Sequence, residues 1–137
     1  MIDHIGLGVR DVARATEFYL KALAPLGFAI VMQVPAEATG HGPAIGFGAA
    51  GTTPEGLQSG KPSFWIGEGP TPSGPFHVAL VASSRAAVDA FYRAAIAAGG
   101  RDNGPPGLRP HYHANYYAAF VFDPDGNNVE AVCHAPA

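Results

Sequence analysis

Hydrophobic positions along the chain fall into two periods, and the two alternate. Residues 2–9 (Ile-Asp-His-Ile-Gly-Leu-Gly-Val) predict a strand. Val12, Ala15, Tyr19, Ala22, Leu23 and Leu26 then recur at helical spacing. Asp11 is placed to cap that helix, and Pro25 and Gly27 to end it. Residues 28–34 predict a second strand, 44–48 a short third and 63–66 a fourth, with a polar Gly-containing loop over 35–43. The pattern then starts again. Residues 76–82 read as a strand and Ser84 as an N-cap, with Val88, Phe91, Tyr92, Ala95 and Ile96 as a helix stripe before Gly99-Gly100. Residues 120–132 read as two strands joined by a tight turn. In that turn Pro124 presets φ and Gly126 takes φ > 0.

A shift of 73 residues lays His4 on His77, Leu7 on Leu80, Asp11 on Ser84, Phe18 on Phe91, Tyr19 on Tyr92 and Gly27 on Gly100. Strand entry, cap, helix face and helix end coincide, which marks an internal duplication. Each half is then strand, helix and three strands. The expected fold is α+β: two βαβββ modules, residues 1–67 and 76–137, joined by a Pro-rich linker at 68–75 within one domain. In the second half the middle strand is poorly defined within the Gly-, Pro- and His-rich segment 101–117, which is too long for a plain connector. With a loop deletion the module ends also superpose, and Phe64 falls where the second half has Glu130.

Composition narrows the function. The chain has 137 residues, enough for one domain, and a net charge of −3 with only 14% charged residues, so no basic face invites nucleic acid or anionic lipid. No uncharged apolar run approaches a membrane span, and the first residues lack a signal-peptide pattern. The single cysteine, Cys133, excludes an intrachain disulfide and suits a reducing cytosol, so a cytoplasmic location is expected. Cys133 reads as a small buried filler.

Candidate chemistry starts from Glu130. If Val132 faces the core, so does Glu130, and a buried carboxylate needs a partner or a metal. Approximate two-fold symmetry brings His4 and His77 to equivalent positions. His4, His77 and Glu130 therefore form the expected metal set, two imidazoles and one carboxylate that leave positions open for substrate, water or oxygen. A divalent Fe, Mn, Ni, Co or Zn ion suits those donors. Asp123 and Asp125 do not make a calcium loop, because Gly at the sixth position and a carboxylate at the twelfth are missing. His111, His113 and Tyr116 stand in the loop before the penultimate strand. A neutral imidazole there can accept a substrate proton, and Tyr can donate to a developing oxyanion. Phe64 and Trp65 are candidates to wall an apolar substrate pocket, and Arg109 to hold a substrate anion. Open module edges and a short, stiff linker predict a homodimer with modules paired between chains.

The duplicated His, the Phe-Tyr pair on both helices and the terminal Asp-Pro-Asp-Gly-x-x-x-Glu run together resemble the vicinal oxygen chelate superfamily. That superfamily includes glyoxalase I, extradiol ring-cleavage dioxygenases, fosfomycin-resistance transferases and bleomycin-binding proteins. The resemblance covers the whole chain. It implies paired βαβββ modules closing a cupped, barrel-like mixed sheet around a metal that chelates two vicinal oxygens. It also implies a metal-dependent lyase, isomerase or dioxygenase acting on a small oxygen-rich molecule; the alternative is a non-catalytic, drug-sequestering binding protein. Glyoxalase I carries an Arg four residues after its first His, where this chain has Gly8, and a fourth ligand near Phe64. Extradiol enzymes are similar in their two His and one Glu, and in a His nineteen residues before that Glu, here His111; their Tyr ten residues before it is Phe120 here.

Overall fold

The periodicities resolve into nine strands and three helices in a computed structural model that describes residues 2–40, 42–49, 61–68 and 75–137. The first half runs β1 (Ile5–Val9), α1 (Val12–Leu23), a 3-10 turn (Ala24–Leu26), β2 (Phe28–Val34), α2 (Ala36–Thr39), β3 (Ala44–Ala49) and β4 (Phe64–Glu68). The second runs β5 (His77–Val81), α3 (Arg85–Ala97), β6 (Arg101–Asp102), β7 (Gly107–Leu108), β8 (Tyr117–Phe122) and β9 (Asn128–Cys133). The loop expected over 35–43 contains the single turn α2, begun by Pro35 and closed by Gly40. Of the expected linker, Glu68 belongs to β4 and residues 69–74 lie outside the described residues.

Two mixed sheets result, ordered β1-β4-β3-β2 and β5-β9-β8-β6, with β7 also on β8. In each, the first strand pairs in parallel with the last and the others pair antiparallel. The sheets are open rather than closed into one barrel. Prolines 105 and 106 interrupt the second strand of the second half. It survives as the two-residue pieces β6 and β7, because Pro cannot donate to a ladder.

Both helices start where a side chain accepts free backbone N–H groups: Asp11 from Arg14, and Ser84 from Ala87. Gly27 (φ 83°) closes the 3-10 turn after α1 in the left-handed region, which a Cβ would disfavour. Ala15, Phe18, Tyr19, Ala22 and Leu23 of α1 and Val88, Phe91 and Ala95 of α3 are buried. They join Leu7, Phe47, Phe64, Ile66, Val121, Val129 and Ala131 in a single cluster beneath both sheets. A buried Phe or Leu contributes about 1.5–3 kcal/mol, so this shared core is the main term holding the halves together.

A polar knot adds to it. Asp123, 2% exposed, opens the β8–β9 turn and accepts the N–H groups of Asp125 and Asn127. Its second oxygen accepts Asn127 Nδ2 at 2.9 Å and the Tyr19 hydroxyl at 2.5 Å. Burial and the Asp123 charge push the Tyr19 phenol well above its usual range, so it stays a donor. Among the described residues no helix is long and apolar enough to cross a membrane.

Candidate functional site

Because both sheets lay one face on the shared core, each keeps a second face turned away from it. In β9, Val129, Ala131 and Cys133 join the core or its edge, and alternation sends Glu130 and Val132 to the other face. Across the ladder, Glu130 lies between Ala79 of β5 and Phe120 of β8. His77, at the start of β5, shares that face with Ala79 and Val81; Val81 is 73% exposed.

Glu130 is 2% exposed, and both its carboxylate oxygens are engaged. His77 Nε2 lies 2.9 Å from Oε2, and the Tyr116 hydroxyl donates to Oε1 at 2.5 Å. A buried carboxylate without partners costs several kcal/mol, which these two contacts offset. Burial, and then the hydrogen bond to Glu130, push the Tyr116 phenol up to about 12. Tyr116 therefore faces Glu130 as a proton carrier, never as a phenolate at neutral pH.

Tyr116 is aimed by the loop between β7 and β8, which folds on its own backbone. Arg109 N donates to Tyr116 O at 2.7 Å, Tyr112 N to Arg109 O at 2.9 Å and Tyr116 N to His113 O at 3.1 Å. Aromatic rings brace the phenol edge-on, with Tyr112 at 5.1 Å and His134 at 5.2 Å between centroids. His111 is exposed and packs at a tilt against Tyr112; His113 is exposed, accepts Asn115 N on Nδ1 and lies near His134. Arg109 bonds Pro105 O and lies over the Phe120 ring, beside the carboxylate's neighbour in the ladder.

The equivalent face of the first sheet differs. His4 precedes β1, and its Nδ1 meets Asp3 at 2.6 Å, while Asp3 also holds Lys61 Nζ at 2.6 Å. A carboxylate on Nδ1 fixes the proton there and leaves Nε2 for a ligand. Strand register corrects one correspondence. Gly6 pairs with Trp65 as Ala79 pairs with Glu130, so Trp65 stands where the second half has Glu130. Phe64 is 1% exposed and packs on Tyr19 at 5.0 Å, on the core side of its strand. Trp65 lies on the open face and lines a cavity of about 470 Å³ with His4, Gly6, Gly8 and Gly67.

The structure thus brings Glu130, His77 and Tyr116 together and leaves His4 on the other sheet. His4 and His77 both line a cavity of about 580 Å³ at the seam between β1 and β5. Among the described residues no three ligating side chains converge. The donors do fit a divalent ion in pairs, since 2.9 Å separates His77 Nε2 from Glu130 Oε2 and neighbouring donors on one octahedral ion with ~2.1 Å bonds lie about that far apart. Sequence reasoning left Asp3, Tyr112 and His134 unassigned. The Asp-His adjacency was the available signal for the first; the other two become neighbours of Tyr116 only through the loop's turn.

No curated protein matches the sequence. A glyoxalase/bleomycin resistance protein from Albidiferax ferrireducens T118 superposes with a TM-score of 0.69 at 26% identity, covering 98% of both chains. A family enzyme from Burkholderia phytofirmans PsJN gives 0.65 at 18% identity, again over 98% of both. Glyoxalase I from Zea mays gives 0.69 at 22% identity over 96% of this chain but 45% of that one, so this chain spans under half of the plant enzyme. The family model for the Glyoxalase/Bleomycin resistance protein/Dioxygenase superfamily matches residues 1–131, a span that takes in both modules and the Glu130 cluster, and the chain belongs to that superfamily.

Proposed function

We propose that this chain is a metal-dependent enzyme acting on a small oxygen-rich molecule, with His77 and Glu130 as two ligands of a divalent ion and His4 as the third. The observation that carries this reading is the buried Glu130 carboxylate, held between His77 Nε2 and the Tyr116 hydroxyl. A bound ion supplies Lewis-acid polarisation of a carbonyl, or stabilisation of an enolate or catecholate. Tyr116 occupies Oε1 and so directs Oε2 toward His77. Its protonated hydroxyl can also donate to charge developing on a substrate oxygen. His111 and His113 stand exposed in the loop that ends at Tyr116, where either imidazole can take a substrate proton. Isomerase, lyase and ring-cleaving chemistry share this first step.

His4 reaches the site from a second copy in this reading. Both sheets bury one face in a common core, and among the described residues of one chain no three ligating side chains converge. The open face of the second sheet leaves Val81 exposed beside His77. A homodimer that lays the first sheet of one copy over the second sheet of the other covers these groups and completes two sites.

The test is metal analysis of protein purified without a His-tag, with binding titrations of variants. Glu130→Gln and His77→Ala are each expected to weaken metal binding at least tenfold. Unchanged affinity in both would remove them from the ion and favour a sequestering protein. Mixing His4→Ala with Glu130→Gln subunits then separates the routes. Shared sites regain one intact metal site per mixed dimer; sites built within one chain regain none.

A further inference from the structure

We infer that the open face of the first sheet is a slot for a planar aromatic ring, read by Trp65. Two rows cross this face. Gly6, Trp65 and Gly46 are paired across β1, β4 and β3, and so are Gly8, Gly67 and Ala44 in the next row. The first row raises one indole between two glycines. In the second row no side chain is larger than a methyl. The 470 Å³ cavity lies over both rows, with His4 on its wall. Its size and single aromatic wall are those of small-molecule pockets, and His4 and Glu68 are the ionisable side chains of its lining.

The protein's own packing explains only part of this bareness. A Cβ on Gly46 would meet Pro62 at 2.7 Å and the Trp65 ring at 3.1 Å, so Gly46 makes room for neighbours. A Cβ on Gly6 would lie 3.8 Å from Trp65 Cβ, and one on Gly67 would lie 3.5 Å from Ala44 Cβ; both are ordinary contacts. Neither glycine is among those with positive φ. Glycine inside a strand costs roughly 0.5–1 kcal/mol against alanine. At Gly6 and Gly67 the absent side chains therefore serve neither backbone nor packing, and what they keep clear is the cavity. A cleared row of backbone beside an indole takes a flat unsaturated ring, which gains stacking that a saturated ring does not. His4 Nε2, freed by the Asp3 contact on Nδ1, offers a polar end to the same space.

The slot deepens the small-molecule reading above by naming a substrate class, but it does not depend on the ion. Trp65 is the chain's single tryptophan, so its emission reports this face alone. The experiment titrates the whole protein with 2,3-dihydroxynaphthalene and with cyclohexane-1,2-diol, with and without chelator. Both probes carry vicinal oxygens, and only the first is planar. Saturable quenching by the naphthalenediol that persists in chelator, with no response to the cyclohexanediol, is expected. Gly67→Val and Gly6→Val should each weaken the naphthalenediol at least tenfold while keeping the wild-type circular dichroism and thermal midpoint. Equal response to both probes, or wild-type affinity in both folded variants, overturns the slot. Loss of all quenching in chelator overturns its independence from the ion. If the protein binds no metal at all, the quenching result still stands or falls by itself.

Discussion

Trp65 and Glu130 occupy the same place in two copies of one module, and little else about their surroundings is alike. Around Trp65 the neighbours are Gly6 and Gly46; around Glu130 they are Ala79 and Phe120, with His77 and Tyr116 reaching in. The core sides of the same strands differ in size but keep their character: Phe64 and Ile66 of β4 and Val129 and Ala131 of β9 are all buried and apolar. Phe18 and Phe91, one on each helix, are both buried, and Ile66 and Ala131 both face the core. Core positions are constrained by packing against the other half, so a change there is felt at once. An open face meets only what binds it. In the function proposed above, divergence between the halves marks the ligand faces, aromatic on the first sheet and acid–base on the second.

The comparison can be broken at its strongest point by truncating the shared core. Phe18→Ala and Phe91→Ala should each lose about 3–5 kcal/mol in chemical denaturation, by similar amounts, if the helix sides are equivalent. A difference of several-fold would mean that one half dominates the core.

The tyrosines next to them sharpen it. Tyr19 is fully buried on Asp123, whereas the equivalent Tyr92 is partly exposed and bonds Asp102 within its own half. Tyr19→Phe takes a donor from a buried carboxylate and is expected to cost about 1–3 kcal/mol. Tyr92→Phe should fall within the error of the same denaturation curve. Equal effects would show that burial does not separate the two.

A smaller effect appears in alkali. Folding raises the Tyr19 pKa, so the native state holds this proton more tightly than the unfolded chain. Its contribution is complete below the unfolded value of about 10 and declines as pH rises beyond it. Wild-type stability should fall above that point, and Tyr19→Phe should flatten the decline. An unchanged slope would place the alkaline loss on Tyr92, Tyr116 and Tyr117, whose phenols are also raised.

How far the sequence carried these conclusions follows from what pins each side chain. Helices and caps were legible because Asp11 and Ser84 stand one residue before a clean 3.6 pattern. The duplication was legible from paired aromatics and helix ends. The correspondence of Glu130 slipped by one residue because Phe64, Trp65 and Ile66 are all apolar, so no alternation marks which of them faces outward. A one-residue slip reverses every side chain, and it exchanged a core Phe for the open-face Trp. The relation of His4 to Glu130 was not legible. They lie on different sheets, and their separation depends on how the sheets pack against the helices, which neither strand's pattern encodes. Tyr116 was one of three candidates in its loop, and only the backbone turn at Arg109–Tyr116 singles it out.

The contact between Tyr19 and Asp123 also bears on synthesis. The two residues are 104 positions apart, with the donor in the first helix and the acceptor in the last turn. As the chain leaves the ribosome, the first half emerges complete in its strands but with a phenol whose partner has not yet been translated. The second half meets no such delay, since Tyr92 has Asp102 ten positions on. The last turn to be made is thus the one that seats the first helix. Final closure of the amino-terminal half is expected only after the carboxy-terminal hairpin has cleared the exit tunnel, and arrested chains ending before Asp123 should remain protease-sensitive throughout.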